Sequence, residues 1–288
     1  MKPLHLLAVF FACATLATAQ QAATAPNEYV RFAEHEEGDS LETAVARFES
    51  PKGQIVDLVG AVHVADKGYF EALNVRFRQY DALLYELVGP PMHERRKDKP
   101  VKGGENLQWI GKLQGAMRDA LQLAGQIEHI DYAAKNFVHA DMSLEQFQKM
   151  REEKQEGFLQ LYLRVLSAYN KMAREGDDDP EAASLALIVQ ILMNRDNPNE
   201  LKRAVAAQFD QVERLMRKME EGEGTVIITE RNRVAFEVLD KQLAAGKKKL
   251  GIFYGAGHLP DMEKRLIERG FKKTGSEWLR AWWMPYEK

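Results

Sequence analysis

Hydrophobic and polar positions alternate from Tyr29 to Val64, with a period of two over Tyr29 to Ala33, Leu41 to Phe48 and Gln54 to Val59. Gly38-Asp39 and Pro51-Lys52-Gly53 separate these runs as turns, so an antiparallel lead-in to a core strand is expected. Asp66 stands where a helix cap belongs. Phe70, Leu73 and Phe77 then repeat at helical spacing, and Ala82 to Val88 reads as a short buried strand. Strand, helix and strand in that order predict a parallel βαβ unit. Between Gly103 and Gly224 the period becomes helical: Ser143-Leu144-Glu145-Gln146 is a capping box, Asp179-Pro180-Glu181 starts a helix, and Leu201, Val205, Phe209, Val212, Met216 and Met219 form one stripe. Ala182 to Met193 is apolar nearly all round but too short to span a bilayer, which reads as a buried helix. After Gly224 the first pattern resumes, with a strand over Thr225 to Thr229, a helix from Arg231 to about Ala245, a strand over Leu250 to Tyr254, a helix from Pro260 to Arg269 closed by Gly270, and an edge strand over Trp278 to Met284.

These elements predict an α/β fold with a mainly parallel central sheet, antiparallel edge strands and flanking helices. An all-helical insertion would cover the carboxyl edge of the sheet. The expected division is a signal peptide over 1–19, the first half of the α/β core over 20–102, the insertion over 103–224 and the second half of the core over 225–288. The signal peptide is read from Lys2, the apolar stretch Leu4 to Leu16 and the Ala17-Thr18-Ala19 cleavage pattern. It implies a secreted, periplasmic protein with no membrane span after cleavage. The single cysteine, Cys13, lies inside that segment, so disulfides, thiolate ligands and a cysteine nucleophile all leave with it. Any metal must then be held by His, Asp and Glu. With 40 Lys and Arg against 43 Asp and Glu, the formal net charge of −3 offers nothing to nucleic acid. The clusters Arg95-Arg96-Lys97 and Lys247-Lys248-Lys249 read as solvated connections.

Two blocks far apart in the chain nearly repeat. Ile55 to His63 reads IVDLVGAVH and Leu250 to His258 reads LGIFYGAGH. A strand that stops at a glycine delivers the following residues to the carboxyl edge of an open α/β sheet, where such folds bind their ligands. His63 and His258 are therefore expected to meet there, with Glu86 at the end of the second strand and the run Glu230-Arg231-Asn232 at the start of a helix. Glu86 follows Leu83-Leu84-Tyr85, a setting in which an unpaired carboxylate is costly, so it is either functional or paired with a structural arginine. Two neutral imidazole nitrogens and one carboxylate oxygen can hold a first-row divalent metal (Mn, Co, Zn or Fe), with Arg231 free to stabilise an oxyanion. Arg231 could equally bridge to Glu86 as a structural pair. Pro260, in the first turn of its helix, puts the positive dipole end beside His258 and favours the neutral ring. His35, His93, His129 and His139 lack the strand-glycine setting and read as surface or packing residues.

The paired Gly-x-x-His blocks, the Glu after the strand that follows the first block, and Glu-Arg-Asn before a helix resemble the TraB/PrgY/GumN group, whose animal relatives are the Tiki proteases. The resemblance covers roughly Val56 to Gly270, with Asp141-Met142-Ser143 similar to a segment of bacterial members. It implies a fold related to the erythromycin esterase and haem-binding ChaN proteins. For Tiki-like members it implies metal-dependent peptidase activity, with His63, Glu86 and His258 as metal residues and Arg231 as the motif arginine. The reading is a metal-dependent hydrolase acting on a peptide or small-molecule substrate. A metal-free His–Glu pair activating water, and a non-enzymatic haem- or peptide-binding protein using the same histidines, are the alternatives.

Overall fold

The computed structural model describes residues 29–94, 114–174 and 197–287. The expected signal peptide, the Arg95-Arg96-Lys97 cluster and the helix expected over Ala182 to Met193 lie outside them. The lead-in is antiparallel, as expected: β1 (Val30–His35) pairs with β2 (Gly38–Glu49), and β2 with β3 (Ile55–Ala61), but the first hairpin turns at Glu36-Glu37, and Gly38-Asp39, read as the turn, instead open β2 because Gly38 pairs with His35. After the two-residue β4 (Val64–Ala65), helix α1 (Lys67–Phe77) leads to β5 (Ala82–Tyr85). β8 (Lys249–Gly255) lies between β3 and β5 and is parallel to both, so the βαβ unit steps over one strand. With β7 (Phe137–His139) beside β5, the sheet runs β1-β2-β3-β8-β5-β7, and the last strand β9 (Lys272–Pro285) pairs antiparallel along β2. β3 and β8 are buried without alternation because helices cover the parallel strands. α1 reaches β8 through Phe77, whose ring lies 4.8 Å from that of Phe253. The α/β class with parallel centre and antiparallel edge is thus present, and among the described residues no helix is long and apolar enough to cross a membrane.

Four local expectations are corrected here. The insertion is not all helical: β6 (Ala124–Gly125) pairs with β4, and β7 (Phe137–His139) joins the main sheet parallel to β5. Strands of two and three residues carry no period that a sequence could display. The run Thr225 to Thr229 is not a strand but a π-helical turn over Val226–Glu230 leading into α7 (Arg231–Ala244). The reason is where its donors go. The Thr225 hydroxyl accepts from the Ile228 N–H, and both carboxylate oxygens of the buried Glu156 accept from the Val226 N–H, at 3.1 and 2.9 Å. No sheet partner is needed once side chains satisfy the backbone. The stripe from Leu201 to Met219 is likewise split into α5 (Pro198–Ala206) and α6 (Phe209–Met219). Asp66 caps α1 by position only; its carboxylate instead accepts from Lys202 Nζ and the Trp283 N–H, tying α5 and β9 to the start of α1.

The capping box forms as read, starting α3 (Leu144–Glu153): Ser143 Oγ accepts from the Gln146 N–H and Gln146 Oε1 from the Ser143 N–H. Ser143→Ala is expected to cost about 1 kcal/mol, read as a lowered urea midpoint with unchanged slope. Gly270 takes φ of 82° just past α8 (Leu259–Glu268), the left-handed closure its position predicts.

Candidate active site at the carboxyl edge

The two repeated blocks do arrive side by side. β3 and β8 are in register with Gly60 opposite Tyr254 and Ala61 opposite Gly255, so both Gly-x-x-His segments leave the sheet at one edge. Their local structures then diverge. Ala256–His258 is a 3-10 turn entering α8, which buries His258 to 5% exposure. After Ala61 the chain bends outward, the His63 carbonyl accepts from the Gln126 N–H of the insertion, and the His63 side chain is exposed. It remains close enough for its charge to act on both Glu86 and His258.

Glu86 follows the last residue of β5. Its Oε2 accepts from the Gly255 N–H at 2.7 Å, and its Oε1 from Arg231 Nη2 at 2.6 Å. Gly255 leaves room for this approach: a Cβ there would stand 3.3 Å from Glu86 Oε2, a tight contact. Burial alone would raise the Glu86 carboxyl, but Arg231 foremost, followed by His258, His63 and the Gly255 N–H, holds it far below the usual carboxylate range. His258 Nε2 lies 3.6 Å from Glu86 Oε1. Burial pushes this imidazole from 6.5 down to about 4 against the pull of Glu86, so it is neutral at physiological pH. Its ring meets that of Tyr254 edge-on at 5.1 Å.

Arg231 is the centre of the cluster and is placed by the first turn of α7, not by a strand end. Its Nε donates to Asp141 Oδ1 at 3.0 Å and Nη2 to Asp141 Oδ2 at 2.6 Å, a bidentate pair, while Nη2 also reaches Glu86. Nη1 faces the Ile227 carbonyl at 3.4 Å and His258 Nε2 at 3.3 Å. A guanidinium has five N–H groups, and here each has an acceptor. The role expected for Arg231 as a free oxyanion donor therefore requires breaking one of these bonds, whereas the structural bridge to Glu86 is present. Asp141 is the residue that the pattern in the sequence left without a role. It also accepts from the Leu87 and Met142 N–H groups at 2.9 and 2.8 Å, and it is buried. Its one sequence signal is its place in Asp141-Met142-Ser143, the segment that resembles one of bacterial members of the group.

The insertion closes this edge. Met142, Phe147 and Val226 form a small apolar cluster below the π-helical turn, and α6 lays Met216 so close to Gly257 that a Cβ there would meet its Cε at 2.7 Å. Glu230, the first residue of the Glu-Arg-Asn run, stays outside the cluster and pairs with Lys154 at 2.6 Å and Arg233 at 3.0 Å. The remaining histidines are satisfied elsewhere: His35 contacts Ser40, His129 the Gly125 carbonyl and His139 the Leu87 carbonyl.

No family model, curated protein or solved structure matches the chain. The resemblance to the TraB/PrgY/GumN group therefore rests on the motif residues alone. For a metal, the donor chemistry is suited in part. Glu86 and His258 are both deprotonated at neutral pH and lie 3.6 Å apart, and two carboxylates share one guanidinium, which leaves the buried cluster with an excess of negative charge. Among the described residues, however, no three His, Cys, Asp or Glu side chains are grouped to hold a metal ion. Arg231 lies across Glu86 and His258, and His63 faces solvent.

Proposed function

We propose that this chain is a metal-dependent hydrolase acting outside the cytoplasm after removal of 1–19, with His63, Glu86 and His258 as the residues that would hold a divalent transition metal. The observation that carries the reading is the convergence of Glu86, Asp141, Arg231 and His258, from four separated segments, into one buried polar cluster at the carboxyl edge. Such a cluster is not what stability alone favours, because apolar residues of similar volume often serve a core as well or better. A metal bound there would lower the pKa of a coordinated water and so supply the nucleophile.

The chain's own residues divide the work. Glu86 and His258 are poor general bases, since both are held in deprotonated form well below neutral pH, but that is the form a metal ligand requires. This favours the metal-dependent reading over a metal-free His–Glu pair. Arg231 orients Glu86 and is itself oriented by Asp141. The exposed His63 is the group placed to meet an incoming substrate or to complete a ligand set. The choice of a peptide as substrate follows the resemblance.

The test is metal analysis of the purified protein together with cleavage of a peptide library, with and without chelator and after re-addition of Mn, Co, Zn or Fe. Chelation is expected to abolish cleavage. His63→Ala, Glu86→Gln and His258→Gln are each expected to lower it about a hundredfold or more, with folding monitored by circular dichroism. Cleavage unaffected by chelator and equal in all three variants would overturn the reading, and a Soret band on adding haem would place the chain among binding proteins instead.

A further inference from the structure

The side chain of Asn232 is wholly buried, a position where an amide must find partners for both its ends. Its Nδ2 donates to the His258 carbonyl at 3.0 Å and to Asp261 Oδ2 at 2.8 Å. Both of those atoms can only accept, so the amide cannot be turned round without setting its oxygen against a carbonyl and a carboxylate. Asp261 is in turn held by Arg265 Nε at 2.6 Å. The amide oxygen is thereby fixed on the other side, 2.7 Å from His258 Nδ1. On the opposite face of the ring Arg231 Nη1, which can only donate, stands 3.3 Å from Nε2.

We infer that Asn232 is a positioning residue that fixes His258 as the neutral tautomer with its hydrogen on Nδ1, leaving the Nε2 lone pair directed toward Arg231 and Glu86. The other tautomer is disfavoured at three points. It would set the bare Nδ1 against the amide oxygen, point the Nε2 hydrogen at a guanidinium, and find Glu86 Oε1 only at 3.6 Å, beyond hydrogen-bond reach. The chain Arg265, Asp261, Asn232, His258 thus runs from the last turn of α8, through the first turns of α8 and α7, into the cluster. It gives the Asn of the Glu-Arg-Asn run a purpose separate from that of its arginine neighbour. A metal-ligating histidine needs its second nitrogen anchored in this way, because the anchor sets which lone pair is offered. The use of that lone pair rests on the hydrolytic reading above; the tautomer itself does not.

The experiment is long-range proton–nitrogen correlation spectroscopy on the full chain labelled with nitrogen-15 histidine, with the His258 signals assigned by their loss in His258→Gln. No metal or substrate is added, so the result is independent of whether the chain hydrolyses anything. The wild type is expected to show a protonated Nδ1 and a bare Nε2 for His258. Asn232→Ala should average the two nitrogens as the tautomers mix, and Asp261→Ala, at a partly exposed site that is less prone to unfold the chain, should do so in part by freeing the amide to turn. A wild-type spectrum with the hydrogen on Nε2 would overturn the inference whatever the variants do. An Asn232→Ala spectrum identical to wild type would overturn the role given to Asn232.

Discussion

Replacing Arg231 with alanine is expected to destabilise the fold by about 3–5 kcal/mol, more than any other single change at the carboxyl edge. The guanidinium is 9% exposed at its side chain and is the counter-charge of both Glu86, at 15%, and Asp141, at 0%. Removing it leaves two carboxylates facing each other across a cavity, with backbone N–H groups as their remaining donors. Arg231→Lys should recover only part of the loss, since an ammonium cannot reproduce the fork that meets both oxygens of Asp141. The combination of Arg231→Met with Glu86→Gln and Asp141→Asn should recover most of it, because the charge imbalance then disappears along with the charge. Urea denaturation of the variants measures each step. An Arg231→Ala protein as stable as the wild type would mean that the carboxylates do not depend on the guanidinium, and would return Arg231 to the role of a spare donor for an oxyanion.

Acid should weaken the protein in two stages. His258 carries a native pKa of about 4 against 6.5 for an unconstrained ring. Between those values the unfolded chain binds a proton that the native chain refuses, so stability falls as the pH drops from 6.5 to about 4 and levels off below. At about 1.4 kcal/mol per pH unit the loss is roughly 3 kcal/mol. Glu86 acts lower on the scale. Its native carboxyl lies far below its ordinary 4.5, so its contribution is whole above that value and drains away as the pH falls through it. The stability of wild type and His258→Gln, followed by urea titration from pH 7.5 to 3, separates the two. The variant should lose the slope between 6.5 and 4 and keep the fall beneath. Parallel curves throughout would show that His258 titrates normally in the native state, and so that the ring is not desolvated as its burial requires.

Much of this architecture is written in short-range signals. The alternation over Tyr29 to Val59, the Ser143 capping box and the closing Gly270 each express a rule confined to a few neighbouring residues, and each forms as those rules dictate. The glycine-ended apolar runs are of the same kind, and they were enough to bring His63 and His258 to one edge of one sheet. They could not tell the exposed histidine from the buried one. That difference comes from the insertion, whose Gln126 holds the chain at His63 in a bend while the matching segment at His258 turns straight into a helix. The same holds for Val226 to Glu230, where β-branched residues favour a strand locally but the carboxylate of Glu156, 70 positions away, takes the first backbone donor and starts a helix. Arg231 meets Asp141 across 90 positions and Glu86 across 145. The bridge to Glu86 could be named from the sequence as one of two roles, but the bidentate pair with Asp141 could not, because its free energy comes from charges sharing a desolvated space that exists only once the sheet and the insertion have closed around it.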